Sequence, residues 1–140
     1  VFNYTPQLVA GGNINPYSVV KMSTTAWTGA ASSANADFVV GVTDGSTRRF
    51  DSAYHAISGD PISLQPSPTV QVVAAAAVGS TNVAAGDGLI VDTTDVNGAV
   101  SKAVGAGAGT IPMFVALEPA TAQGQVFWAY RLGSVKGTAS

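Results

Sequence analysis

The chain has no cysteine, a single histidine and a single glutamate, and only 10% of its 140 residues are charged. Each shortage removes a class of chemistry. Without cysteine there are no disulfides, no thiolate metal sites and no thiol nucleophile. With one histidine, a Ser-His-Asp triad would have to be built on His55, and no Gly-x-Ser-x-Gly elbow presents a serine to it. A His-based metal site needs more ligands than the pair formed by Asp51 and His55. Glu118 is the lone glutamate and has no second acid at a readable spacing for paired-carboxylate work. Six Lys and Arg against eight acids leave a net charge of −2. The one adjacent basic pair, Arg48-Arg49, is too little for a phosphate-tracking groove, so no nucleic-acid partner is expected. No apolar run approaches the roughly 20 residues that cross a bilayer, so no membrane partner is expected. No basic segment followed by a long apolar run opens the chain, so no signal peptide is expected.

Two polar stretches resemble ligand loops without meeting their requirements. Gly105-Ala106-Gly107-Ala108-Gly109-Thr110 lacks the Gly-Lys-Ser/Thr of a phosphate cradle. Asp92, Asp95 and Asn97 have the wrong spacing for a calcium loop and no closing glutamate. The expectation is therefore no cofactor, no metal and no catalysis.

What is present is small, neutral and strand-forming. Hydrophobic residues make up 46% of the chain, many of them alanine, and 140 residues suffice for one domain with a real core. A charge content far below the usual quarter leaves two readings open: a monomer covered by Ser, Thr, Asn and Gln, or a surface partly covered by neighbours in an assembly.

Residues 84–120 show the pattern most clearly. The turn Ala85-Gly86-Asp87-Gly88 leads into Leu89-Ile90-Val91. The pair Asn97-Gly98 then precedes a strand-like Ala99-Val100-Ser101-Lys102-Ala103-Val104, and a second apolar run, Met113 to Leu117, stops at Glu118-Pro119. Short strands punctuated by Gly, Asp and Asn call for an antiparallel β domain. Earlier strands are read at residues 17–22, 38–42, 62–64 and 70–73, the last running on through alanines 74–77. Residues 23–37 form either a loop with Trp27 tucked in or an irregular strand. Residues 47–57 form a loop or a short helix, because Phe50, Tyr54 and Ile57 fall at helical spacing. Along Gln125 to Leu132 the residues alternate, with Val126, Trp128 and Tyr130 on one side and Phe127, Ala129 and Arg131 on the other.

The expected organisation is an extended N-terminal arm over residues 1–12, a β domain over 13–132 and a flexible tail over 133–140. In the arm, Phe2 and Tyr4 precede the Gly11-Gly12 joint, so it docks either on its own domain or, preferably, on a neighbour. The order of turns and Val-rich runs repeats weakly, with residues 15–73 as one unit and 86–132 as the other. The fold class is all-β: a single-domain β-sandwich or flattened barrel of short antiparallel strands.

Several pieces in sequence carry a family likeness. They are Pro16-Tyr17-Ser18-Val19-Val20-Lys21, Val40-Gly41-Val42, Gly59-Asp60-Pro61-Ile62-Ser63-Leu64, Ala85-Gly86-Asp87-Gly88-Leu89-Ile90-Val91, Gly98-Ala99-Val100-Ser101-Lys102-Ala103 and Val115-Ala116-Leu117-Glu118-Pro119-Ala120. In this order the chain resembles the small capsid decoration (cement) proteins of tailed bacteriophages. The most telling pieces are Ala85-Gly86-Asp87 and the Val-Ala-Leu-Glu-Pro-Ala segment. The resemblance implies a non-enzymatic homotrimer on the outer surface of the virion capsid, tied by a terminal arm to the major capsid protein. The arm residues Val1, Phe2, Asn3, Tyr4, Pro6 and Gln7 are then the expected capsid contacts, and Tyr54, Glu118 and Arg131 the expected subunit contacts. Residues 23–37 and 47–57 are longer than in the plainest members, so sandwich, jelly roll and β-tulip all stay open. The alternative function is a carbohydrate- or receptor-binding β-sandwich, a head fibre or adhesin module, in which Trp27, Tyr54, Trp128 and Tyr130 stack on sugar rings.

Overall fold

A computed structural model describes residues 7–33, 39–47, 53–75, 82–91, 97–102 and 112–132. Among these the fold is all-β, with no helix and two sheets arranged as a β-sandwich. The first sheet contains β1 (Val9–Ala10), β2 (Val19–Met22), β3 (Thr28–Ala31) and β4 (Val39–Val42), in the order β1-β3-β2-β4. The second contains β5 (Thr69–Val73), β6 (Gly88–Val91), β7 (Val100–Lys102), β8 (Phe114–Ala116) and β9 (Val126–Arg131), in the order β5-β9-β8-β6-β7. All pairings are antiparallel except β1 with β3, which run parallel.

The strands are short because turn residues cut them. Gly86, Gly98 and Gly124 hold positive φ angles of 92°, 86° and 79°, a backbone region that glycine enters without a Cβ penalty. Gly98 is also constrained by space, since a Cβ there would stand 1.8 Å from Ser18 Oγ. Its carbonyl accepts Val19 N–H at 2.9 Å and its N–H donates to Ser32 O at 2.8 Å. The turn before β7 is thereby stitched onto the first sheet.

The main core lies between the sheets. Inward residues of the second sheet, including Val72, Leu89, Val91, Phe114 and Phe127, meet Val19, Val39 and Val42 of the first. Phe114 and Phe127 are fully buried, each contributing about 1.5–3 kcal/mol of transfer free energy. A second cluster packs on the opposite face of the first sheet, where Ala10 and Val20 meet Ile14, Ala56 and Ile62. The first sheet is thus a middle layer. That is why β2 begins with two consecutive buried valines, Val19 and Val20, rather than alternating.

The structure departs from several sequence expectations. Of the loop and short helix left open for residues 47–57, the described part, 53–57, takes the irregular form, pinned by the Ile14–Ala56 bridge; Phe50 lies outside the described residues. Residues 62–64 form no ladder strand; Leu64 makes an isolated bridge to Thr43, and the preceding Pro61 one to Val9. Trp27 is not tucked in: it is 51% exposed, at a turn that enters β3 with φ 57°. The proposed two-unit repeat also fails at its boundary, because β5 pairs with β9 and so belongs to the second sheet. The chain from Leu8 to Gly11 docks on its own domain, through Ile62 N–H to Leu8 O, the β1–β3 pairing and Gly11 N–H to Gly29 O. Residues 1–6 lie outside the described set, as do residues 133–140.

Two devices close the sheet edges. At one end of the second sheet, Ala74 bridges Val100 in parallel, and Ala75 N–H donates to Val100 O at 2.9 Å. The first and last strands in the sheet order therefore touch, and the sheet curls toward a barrel. Along β5 the side chain of Gln65 bonds both the N–H and the C=O of Gln71 and also reaches Thr43 O. Backbone groups that an edge strand would leave open are thus occupied.

Candidate functional site

The two most telling segments of the sequence meet in space. Gly86 N–H donates to Ala116 O at 2.7 Å, and Ala116 N–H donates to Asp87 O at 2.9 Å. Just outside them, Val83 and Ala120 exchange both backbone bonds at 3.0 Å. Asp87 stabilises its own turn by accepting Ala84 N–H at 2.8 Å, and pairs with Lys102 Nζ at 3.1 Å. The Ala84 N–H bond is the main reason its carboxyl sits below the ordinary aspartate value; slight burial opposes this, and Lys102 adds to it.

His55 is entirely buried and both ring nitrogens are engaged. Nδ1–H donates to Ser46 O at 2.7 Å, while Nε2 accepts Ser63 N–H at 3.0 Å. Those partners fix the tautomer. With both nitrogens engaged, this histidine joins Ser46 to Ser63. Asp44 Oδ1 lies 3.5 Å from Nδ1. Burial pushes the Asp44 carboxyl up, but hydrogen bonds from Ser46 and Ser63, with a contribution from His55, outweigh it and hold the carboxyl below its usual value.

The best-formed pocket among the described residues lies between the Asn15–Ser18 turn and the Asn97–Ala99 turn, with Val73 at its wall. Its volume of about 30 Å³ is far below the ~300 Å³ at which small-molecule sites begin. Ser18 Oγ, at its rim, is buried without a hydrogen-bond partner. Among the described residues no three His, Asp or Glu side chains converge as metal ligands, and no helix is long and apolar enough to cross a membrane.

The expected contact residues fall in different places. Val1, Phe2, Asn3, Tyr4 and Pro6 lie outside the described residues, and Gln7 is exposed where the description begins. Tyr54 is 40% exposed on the segment covering the first sheet. Glu118 accepts Trp128 N–H at 2.9 Å, locking the end of β8 to β9. Arg131 donates to Val39 O at 2.9 Å and Val40 O at 3.3 Å, so its guanidinium ties the second sheet to β4.

Of the four aromatics weighed as sugar platforms, only Trp128 and Tyr130 share a strand face. The β9 alternation read from sequence is present, with Val126, Trp128 and Tyr130 outward and Phe127 and Ala129 buried. Sequence reasoning missed Leu117, which follows β8 on the same outer face beside Trp128 and donates its N–H to Trp128 O. Carrying the in–out alternation of Phe114, Val115 and Ala116 one residue further would have found it.

No protein-family model matches the chain, and no curated protein matches it. Among solved structures, the head fiber gp8.5 N base of bacteriophage phi29 is similar at a TM-score of 0.49 and 15% identity, over 96% of this chain and 95% of that one. At those values the likeness assigns neither a shared site nor a shared role.

Proposed function

We propose that this chain is a structural, non-enzymatic protein of a phage head, located on the outer surface of the virion. The observation that carries the reading is the direct contact of Gly86 and Asp87 with Ala116. Two of the segments that carry the family resemblance are joined by backbone hydrogen bonds, which supports the reading. The sealed histidine and the water-sized pocket agree with a protein whose work is contact rather than turnover.

In its finer form the reading is a decoration protein: a homotrimer whose N-terminal arm, from Val1 to Gln7, reaches the major capsid protein. A second form is a head-fibre module that binds a carbohydrate or receptor, favoured by the side-by-side exposure of Trp128 and Tyr130. The phi29 protein named above is described as belonging to a head fiber.

The test is co-sedimentation of the purified chain with phage heads stripped of their outer proteins. Saturable binding is expected. A chain that stays in the supernatant at micromolar concentration would overturn the head assignment. A glycan array run in parallel separates the two forms: the decoration form predicts no hits, and the fibre form predicts hits lost on Trp128→Ala.

A further inference from the structure

Asn97 is the one asparagine in the chain followed by glycine, and the pair sits where the two sheets are tied together. Asn97 is exposed, while Gly98 is buried. Gly98 N–H donates to Ser32 O at 2.8 Å, just past β3, and Gly98 O accepts Val19 N–H at 2.9 Å, at the start of β2. The glycine lies so close to Ser18 that a Cβ would stand 1.8 Å from its Oγ. From here the chain runs through Ala99 into β7, whose Val100 is fully buried in the main core.

An asparagine amide and the backbone nitrogen after it are the reactants of a spontaneous cyclisation, one reason asparagine counts among the thermolabile residues. Here Gly98 N attacks Asn97 Cγ. The N–Cγ bond forms, the Cγ–Nδ2 bond breaks, and the proton from Gly98 N leaves with Nδ2 as ammonia. Solvent water then opens the cyclic imide at either carbonyl. One opening gives aspartate; the other gives isoaspartate, with an extra methylene in the main chain. The only co-reactant is water, and nothing is oxidised or reduced. Glycine favours the ring, because it has no side chain to shield its nitrogen or restrict its backbone.

We propose that Asn97 is a deamidation site that the fold keeps shut, and that it opens when the turn before β7 lifts off the first sheet. The attacking nitrogen is the one that donates to Ser32 O. Ring closure removes its hydrogen, so the ring and the seam exclude each other. The bond from Val19 to Gly98 O and the packing against Ser18 hold the glycine on its far side. Asn97 itself faces solvent, so the seat of Gly98 is what restrains the reaction. Those tethers are backbone bonds, released by local opening rather than by a side-chain rotation. The rate in the folded chain is then the intrinsic rate multiplied by the open fraction. Each opening that reacts is recorded covalently. In the isoaspartate product the added methylene shifts Gly98 relative to Ser32 and Val19, and the spacing that seats both bonds is lost.

This inference does not rest on the head assignment, because it concerns the purified chain alone. The full chain is aged in mildly alkaline buffer, and conversion of Asn97 is followed by peptide mapping that resolves aspartate from isoaspartate. A synthetic peptide of residues 94–102 in the same buffer gives the unrestrained rate. The folded chain is expected to convert at least about a hundred-fold more slowly than the peptide. Val100→Ala, which removes buried methyl groups beside the seam, should speed conversion several-fold, while Leu132→Ala, at an exposed position, should not. If Val100→Ala does not fold, the wild-type rate in sub-denaturing urea replaces it and should rise with urea. The purified isoaspartate form should unfold at a lower urea midpoint than the unmodified chain. Equal rates in chain and peptide overturn the inference. So does an inert peptide, a rate indifferent to Val100→Ala or to urea, or an isoaspartate form as stable as the original.

Discussion

The side chain of Gln65 pairs with the backbone of Gln71 in both directions, Nε2 donating to Gln71 O and Oε1 accepting Gln71 N–H, each at 2.8 Å. The amide thus acts as a one-residue strand on the edge of β5. The same Nε2 donates to Thr43 O at 3.0 Å, just past β4. One side chain therefore caps an edge and links both sheets. Gln65→Ala leaves a part-buried donor and two acceptors without protein partners. It is expected to lower unfolding stability by about 1–3 kcal/mol, read as a shift in urea midpoint at constant slope. Gln65→Glu keeps only the acceptor and is expected to rescue little. A midpoint within error of wild type for both would show that water replaces the amide at no cost.

His55 gives a second stability prediction. Replacing it with Ala opens a cavity and removes the ring's bonds to Ser46 O and Ser63 N–H. The expected loss is about 3 kcal/mol or more, measured by thermal or urea unfolding. General esterase activity should be absent from both forms.

The Gly98–Ser18 seam predicts opposite signs for neighbouring substitutions. Gly98→Ala places a methyl group against Ser18 Oγ and strains a backbone at φ 86°, so a loss of at least about 2 kcal/mol is expected. Ser18→Ala removes a buried hydroxyl that has no partner, and should be neutral or stabilising by up to about 1 kcal/mol. The double variant should remain destabilised, since the backbone strain persists. Unfolding midpoints of the three proteins decide it.

Acid stability follows from Asp44 and Asp87. Both carboxyls lie below the ordinary aspartate value in the folded chain. A carboxyl depressed on folding contributes stability that is fully present above its unfolded pKa, about 3.9. That contribution is lost as pH falls through the lower folded value. Stability should therefore be flat in these two groups from pH 7 to about pH 5, and fall below about pH 4. Asp87→Asn should be less stable than wild type at pH 7 and lose less on acidification. An unchanged acid limb in Asp44→Asn and Asp87→Asn alike would place the acid sensitivity elsewhere.

The arm supplies a functional prediction. Deleting residues 1–7 should abolish binding to stripped heads while leaving the circular dichroism spectrum unchanged, because the first strand begins at Val9. Binding that survives the deletion would remove the arm from the contact.

Much of the second sheet was legible in the sequence. Strands β6, β8 and β9 have one face on the core and one outward, so their composition alternates or ends at a clear turn. The first sheet was harder to read, because it is covered on both faces. Val19 and Val20 point into different cores, and β3 is built from Thr28, Gly29, Ala30 and Ala31, which carry little pattern. The helical spacing of Phe50, Tyr54 and Ile57 kept a short helix open beside a loop; over 53–57, burial of His55 and the Ala56 bridge override local periodicity. Pairing partners were illegible: nothing local in β5 says that it joins β9 rather than the first sheet. Alternation placed Trp128 and Tyr130 on one outward face, where they lie, but no sequence signal shows that Arg131 reaches back to Val39 and Val40.

The β5–β9 pairing has a consequence for timing during synthesis. Thr69 leaves the ribosome long before its partner Tyr130, and the intervening strands cannot supply its hydrogen bonds. The second sheet must therefore wait until β9 has been synthesised before it can assemble. A nascent chain stalled before residue 126 would hold a β5 with no place to go, making it a substrate for chaperones rather than a folded fragment.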